Sequence, residues 1–544
     1  MVKEDRKYKD VFFNPLTPLS FLKRSELAFP DKEAVVYRDK RYTWREFGER
    51  VYRLAHALQE RGIRKDDRVA MLCRNNNVML ESFYGIGISG GVNVPINVRL
   101  APKEVAYILN RSESKILILD HGYASTIRSM EKLETVDEII NVPDPDEGLD
   151  EEIPGEEYEE ALRRSSKEPI DVPVKDELDM LSISYTSGTT GPPKGCVYTH
   201  RGAYLNALGE ALEGKMNSES ANLWTLPMFH ANGWCFVWAV TAVGAKHVCL
   251  DAVRGKEMYE LIEDEDVTNM SGAPTVYLIL CDYMRENNLK FSHKIIGMIA
   301  GSAPSPKIIR DSEEIGVDIV HVYGLTESYG PHTICEWHSE WNSLDERERA
   351  ELKARQGVPY SPWFPVKVVD EEMNEVPHDG KTDGEIVMQG NNLMTWYFKD
   401  HERTEKAFKG GCFHTGDAAI VHPDGYIEIV DRIKDIIISG GENIASIEIE
   451  NVIMEHPSVR DVAVFSKPDE RWGEVPKALV ELKRDEEATE EEIIKWCRDR
   501  MTHFKSPKEV EFGEIPWTST GKKMKYVLKR REQEKMVGGY HDHK

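Results

Sequence analysis

The sequence predicts an α/β protein that carries a smaller α+β module at its C-terminus. Three observations support this. From about residue 30 to 330, helical patterns alternate with short apolar runs, as in layered parallel α/β structure. Between about 360 and 430 come short strands with tight turns, the mark of a small β unit. Beyond Asp431-Arg-Ile-Lys-Asp435, two helices and two strands make a compact unit of their own.

In chain order, Trp44–Leu58 places Phe47, Val51, Leu54, Ala55 and Leu58 on one helix face. Arg68–Leu72, Lys115–Asp120, Ile296–Ala300 and Asp318–Val322 read as buried strands. Residues 336 to 356 interrupt the alternation with a highly charged helical excursion. Pro365–Asp370 and Gly384–Gln389 are the strands of the small β unit. After the boundary near Asp431 come helix Ala445–His456, strands Asp461–Phe465 and Ala478–Leu482, and helix Glu490–Thr502. The last has Thr489 at its N-cap and acidic residues in its first turn.

Composition narrows the function classes. Seventy Lys and Arg against 95 Asp and Glu give a formal charge of −25, which argues against nucleic acid or an anionic membrane as the main partner. Any substrate with several phosphates must therefore be met by local cations working against the global field. The eight cysteines contain no Cys-x-x-Cys, so neither a zinc site nor a disulfide framework is expected, and reduced thiols in a cytoplasm fit. The charged N-terminus does not resemble a signal peptide, and the C-terminal His-Asp-His-Lys544 is no targeting signal. The apolar run Trp234–Ala245 is too short to span a bilayer and reads as buried core.

The chemistry concentrates in five places. Tyr185-Thr-Ser-Gly-Thr-Thr-Gly-Pro-Pro-Lys-Gly195 links two strand-like runs. It offers the hydroxyls of Thr186, Ser187, Thr189 and Thr190, the bare backbone at Gly188, and the cation of Lys194. That set suits a polyphosphate, although it lacks the Gly-Lys-Ser/Thr of a Walker loop. Val322-Tyr-Gly-Leu-Thr-Glu-Ser328 ends a buried strand, where ligands of open α/β sheets gather. Glu327 there suits Mg²⁺ and Thr326 suits a phosphate oxygen. His414-Thr-Gly-Asp417, fifteen residues before Arg432, pairs an acceptor with a cation, as a ribose diol requires. Asp431 to Glu442 contains a glycine pair after three isoleucines, read either as a close backbone approach or as a bulge. Pro516 to Lys525 is a basic segment in which Lys522 follows a glycine; a solvated basic tail would look similar.

Together these motifs resemble the adenylate-forming superfamily, and the likeness runs from about residue 15 to 530. The resemblance implies a large N-terminal domain of layered αβαβα sheets over 1–431, with a β-barrel-like subdomain near 360–430. A small mobile α+β lid over 432–544 would swing on a hinge at Lys434. It casts Tyr323 as an adenine-stacking residue, Gly301 and Ala303 of Gly301-Ser-Ala-Pro304 as a second adenine wall, and Asp417 with Arg432 as the ribose site. Ser439, Gly440, Gly441 and Glu442 would line the path of the CoA arm, and Lys522 would be the adenylation lysine. ATP, Mg²⁺ and coenzyme A follow as cofactor and co-substrates. A homodimer is expected on the resemblance alone.

Within the superfamily, amino-acid activation is disfavoured, because Ala231 stands where an aspartate would grip an α-ammonium. The chain looks like an AMP-forming acyl-CoA synthetase of the medium- to long-chain branch. His230 would lie near the carboxylate, and Trp234 would be an indole gate. Gly324 stands where acetate enzymes carry a tryptophan, which points to acids longer than acetate. A ligase for aromatic, hydroxy or dicarboxylic acids, and a non-catalytic adenylate-binding homologue, remain as alternatives.

Overall fold

A computed structural model describes residue 11 and residues 13–130, 133–150, 152–186, 192–362, 364–469, 471–518 and 522–539. Ser187, Gly188, Thr189 and Thr190 lie outside the described residues.

Two large sheets build the N-terminal domain. The first runs Glu156–Glu157, Glu138–Val142, Ser114–Asp120, Arg68–Leu72, Val92–Pro95, Met180–Tyr185, Gly195–Thr199. Neighbours are parallel except the last pair, whose hairpin puts Tyr185 opposite Gly195. The second runs Val358–Pro359, Gly330–Ile334, Val317–Leu325, Ile295–Ile299, Asn269–Gly272, Ala221–Leu223, Lys246–Val248, Glu33–Tyr37, Lys40–Thr43. Its middle is parallel and its ends antiparallel. Helices cover both faces of a parallel strand, which is why these strands read as near-continuous apolar runs.

The helix Trp44–Glu60 shows the local logic. Thr43 and Glu46 form a capping box, and Phe47, Val51, Leu54, Ala55 and Leu58 are all buried. They face the wholly buried helix Asn77–Ser89. The charged excursion resolves into a short 3₁₀ turn, Ser339–Ser343, and a helix, Glu346–Lys353. Lys353 anchors that helix to Glu313 and Asp318.

The small β unit is a four-stranded antiparallel sheet, Val366–Val369, Asp383–Met388, Phe413–Val421, Ile427–Arg432. The smaller C-terminal domain has a sheet in the order Glu442–Ile444, Ile437–Ser439, Gly473–Leu482, Val459–Asp469, with Glu509–Phe512 parallel to Gly473–Leu482. Helix Glu490–Arg498 starts with the expected cap, a box of Thr489 and Glu492. At the junction, buried Asp431 accepts hydrogen bonds from the Ser446 amide (2.7 Å) and hydroxyl (2.6 Å). Arg310 pairs with Glu455 at 2.8 Å and Arg460 with Asp282 at 3.3 Å, tying this domain to the second large sheet's helices.

The hairpin of Val317–Leu325 and Gly330–Ile334 matters for the site. Its register slips between Tyr323 and Gly324, and a Cβ on Gly324 would lie 2.0 Å from the Gly330 carbonyl oxygen. Glycine here answers a main-chain contact. The expectation that a missing indole at Gly324 widens the acid pocket loses its steric basis, because main chain fills the direction a side chain would take. Gly324→Ala should cost about 1–3 kcal/mol through overpacking. It would be read as a lower urea midpoint at unchanged m-value; an unchanged midpoint would show that the hairpin can yield.

Candidate functional site

A cavity of about 500 Å³ opens beyond the carboxyl ends of Ile295–Ile299 and Val317–Leu325, under the small β sheet and the segment before the last helix. Ligand sites of α/β sheets gather at such ends because the strands stop and their loops diverge.

The β hairpin supplies one side of the cavity. Asp417 and Arg432 are direct cross-strand partners, so a linear spacing of fifteen becomes a contact, with Arg432 Nε 2.6 Å from the Asp417 carboxylate. The Tyr323 hydroxyl donates to the other Asp417 oxygen at 2.6 Å, with Asp417 itself buried. Carboxylate and guanidinium thus hold each other in place at the cavity edge, as recognition of a diol demands.

Thr326 and Glu327 follow Tyr323 in a short 3₁₀ turn. Glu327 accepts from the Tyr397 hydroxyl at 2.7 Å, and Lys194 Nζ lies 3.6 Å from the same carboxylate. Lys194 also donates to the Tyr397 hydroxyl at 3.0 Å and sits 4.3 Å from that ring's centre. The base of the 185–195 loop is closed by the Thr186 amide donating to the Lys194 carbonyl at 2.9 Å. Tyr397 is a site residue that sequence reasoning missed. Its surroundings, Leu393-Met-Thr-Trp-Tyr397, carry no pattern that separates it from core.

Lys522 enters from the C-terminal domain. Its loop is pinned by two bonds to Thr518, Lys522 N to the Thr518 hydroxyl at 2.9 Å and Thr518 N to the Lys522 carbonyl at 2.7 Å. The neighbouring cations are taken up elsewhere: Lys523 with Asp461 at 2.8 Å, Lys525 with Glu450 at 2.7 Å, and Lys529 with Asp435 at 3.0 Å. The segment is therefore not a solvated basic tail. Lys522 has no ion-pair partner among the described residues. Burial, then the Arg432 charge, lowers its pKa to about 8, although Asp417 and Glu327 pull the other way. His230 lines the same cavity; burial, then Lys522, lowers its pKa to about 3, so the imidazole is neutral at ordinary pH.

The cavity brings together Thr186, Lys194, His230, Gly301, Ala303, Tyr323, Gly324, Thr326, Glu327, Asp417, Arg432, Lys434 and Lys522. Trp234 does not line it. The indole is buried, its backbone beside Gly330, so it is no gate onto this cavity as the structure stands. Ser439 is half-buried and Gly440, Gly441 and Glu442 are exposed, on a hairpin of the C-terminal domain that lies outside the cavity. No cluster of three His, Cys, Asp or Glu able to hold a metal occurs among the described residues, and no described helix is long and apolar enough to cross a membrane.

One cavity of about 500 Å³ is thus lined by both domains, with Lys522 brought in by the smaller one. The comparisons are specific. Residues 22–398 match the AMP-binding enzyme family, and residues 448–522 match the AMP-binding enzyme C-terminal domain. The chain is 51% identical over 528 residues, 96% of each chain, to 4-hydroxybutyrate–CoA ligase 2 of Metallosphaera sedula. It is 39% identical over 545 residues, 96% of this chain and 95% of the other, to the peroxisomal acetate/butyrate–CoA ligase of Arabidopsis thaliana. Its fold matches an anthranilate CoA ligase solved with anthranoyl-AMP, with a TM-score of 0.87 at 24% identity over 96% of this chain and 99% of that one. A Mycobacterium tuberculosis fatty acyl CoA synthetase matches with a TM-score of 0.71 at 30% identity, over 95% and 98%. The chain belongs to the AMP-binding family of adenylate-forming acyl- and aryl-CoA ligases, and it is an AMP-forming CoA ligase.

The half-buried amine has a thermodynamic signature. Folded Lys522 binds its proton less tightly, at about 8, than the ordinary 10.5, so the unfolded chain holds more protons between those values. The cost of burying the charge is therefore full below pH 8 and fades as pH rises toward 10.5. Lys522→Met should raise the thermal midpoint of the ligand-free protein at pH 7, with a smaller gain at pH 10. An equal gain at both would mean that packing, not charge, is responsible.

Proposed function

We propose that this ligase activates a short carboxylic acid of about butyrate size with ATP, giving acyl-adenylate and pyrophosphate, then passes the acyl group to CoA. The observation that carries the size is the aromatic packing of the core that holds Phe229 and Trp234. There Trp238 packs against Phe83 (5.8 Å) and Tyr84 (4.8 Å), and Tyr329 stacks on Tyr198 at 3.7 Å between ring centres. Trp238 Nε1 also donates to the Tyr329 hydroxyl at 3.2 Å. The run after Trp234, read from the sequence as buried core, forms the packed helix Phe236–Val243. The relatives named for 4-hydroxybutyrate and acetate/butyrate support the same size, so the medium- to long-chain expectation is not carried forward.

In this reading Tyr323, Gly301 and Ala303 bound the adenine, and Asp417 with Arg432 takes the ribose hydroxyls. Thr186, Lys194, Thr326 and the loop residues 187–190 bind the phosphates. Carboxylate oxygen attacks the α-phosphorus and the bond to pyrophosphate breaks. Anionic charge is densest at that point, and protonated Lys522 offsets it. Neutral His230 orients the acid's carboxylate by hydrogen bonding; with so low a pKa it is a poor general base in this arrangement. Glu327 suits a magnesium ion held mostly by phosphate oxygens, because one carboxylate and no wider ligand cluster is the usual Mg²⁺ provision. The ion would neutralise charge on the departing pyrophosphate. The exposed Ser439–Glu442 hairpin supports a second lid orientation, pivoting at Lys434 with the domain boundary at 431/432, in which thiol attack on the acyl carbon expels AMP.

Two measurements test this. Lys522→Ala should cut carboxylate-dependent ATP–pyrophosphate exchange by at least about 100-fold, while CoA attack on supplied acyl-adenylate stays within a few-fold; equal loss of both would remove Lys522 from its role. In an exchange panel of acetate, butyrate, 4-hydroxybutyrate, benzoate and palmitate, the four-carbon acids should give the highest kcat/KM. Palmitate in first place would overturn the size argument.

A further inference from the structure

Tyr397 lines the reaction cavity with its ring buried in the core. Packing accounts for the ring but not for the hydroxyl, which stands between two opposite charges, Lys194 and Glu327. Lys194 Nζ donates to it at 3.0 Å, and it donates in turn to Glu327 Oε1 at 2.7 Å. Chemistry fixes that order: an ammonium only donates and a carboxylate only accepts, so the single phenolic proton goes to Glu327. Burial, then the Glu327 charge, raises the pKa of the phenol, and the hydroxyl keeps its proton at ordinary pH.

The main chain holds the hydroxyl in this position. Residues 394–398 run along the strand Gly195–Thr199, which begins directly after Lys194. Thr395 N donates to the Val197 carbonyl at 2.9 Å, Val197 N to the Trp396 carbonyl at 3.1 Å, and Phe398 N to the Gly195 carbonyl at 2.7 Å. Met394 N reaches the Glu327 carbonyl at 2.8 Å, and Tyr397 N is tied to Thr404 Oγ1 at 3.0 Å. One extended segment is thus bonded both to the strand that follows Lys194 and to Glu327 itself.

Lys194 Nζ lies 3.6 Å from the same Glu327 oxygen, too far for a hydrogen bond. Without the hydroxyl, the flexible lysine would close that gap and pair with Glu327 directly, at about 2.8 Å. Its charge would then be cancelled where a phosphate needs it. With the hydroxyl in place, Lys194 commits one of its N–H groups to a neutral oxygen and keeps the others for an anion. The ring assists, since Lys194 Nζ sits 4.3 Å from its centre, a cation–π contact that phenylalanine would preserve.

We infer that Tyr397 is a positioning residue, a neutral spacer that keeps Lys194 off Glu327 and so available to the β- and γ-phosphates of ATP. This rests on the reading of Lys194 as a phosphate-binding cation.

The test is calorimetric binding of ATP and of AMP to the whole protein in EDTA, where neither metal nor turnover enters. Tyr397→Phe should weaken ATP binding by about tenfold, as the loss of one hydrogen bond to a charged group does. AMP, which has no β- or γ-phosphate, should bind as tightly as before, and that affinity also shows that the variant is folded. In a Glu327→Gln background the lysine has no carboxylate to fall onto, so removing the hydroxyl should change ATP affinity by less than about two-fold. ATP affinity unmoved by Tyr397→Phe, an equal loss in both backgrounds, or an equal loss for ATP and AMP would each overturn the inference. If Lys194→Ala binds ATP as tightly as the unmodified protein, the phosphate-binding reading beneath it falls instead.

Discussion

A half-buried amine, Lys522, sets the terms for the site. Arg432, Lys434 and Lys194 share its cavity, and the carboxylates that face it, Asp417 and Glu327, are already engaged by Arg432, Tyr323 and Tyr397. In a medium of low dielectric such crowding is unfavourable unless anions enter. Against −25 for the whole chain, the cavity lining balances six Lys and Arg with six Asp and Glu, so the site is far less acidic than the protein at large.

The rest of the architecture can be seen as the means of assembling that centre. Parallel strands end where their loops can diverge, and the antiparallel β unit sets Asp417 beside Arg432 through register alone. The C-terminal domain pairs Lys523, Lys525 and Lys529 internally; Lys523 and Lys525 line the cavity too, but of the three cavity-lining lysines of this segment Lys522 is the one without an ion-pair partner among the described residues. Lys522 lines the cavity and the Ser439–Glu442 hairpin lies outside it.

On the acid side, packing overrides what the chain suggested. Gly324 avoids a collision with its own hairpin, and Trp234 lies in a left-handed turn against Gly330 rather than over an open tunnel. The aromatic residues Phe83, Tyr84 and Trp238 pack edge-on in the same core.

Much of the fold was legible because helix and strand periodicities are local. The face Phe47, Val51, Leu54, Ala55 and Leu58 is buried as its spacing predicts, and the Thr489 cap forms. The Asp417–Arg432 pair was legible because one hairpin converts spacing into contact. Tyr397 was not, since its role arises from meeting Glu327 seventy residues away. Nor was the orientation of Gly324, or which of several neighbouring lysines would lack an ion-pair partner among the described residues. The sequence by itself determined the elements, their layering and the chemical types present. Which side chains meet, which are left unpaired and which are excluded was decided by tertiary packing, because those contacts join distant segments whose approach no local period encodes.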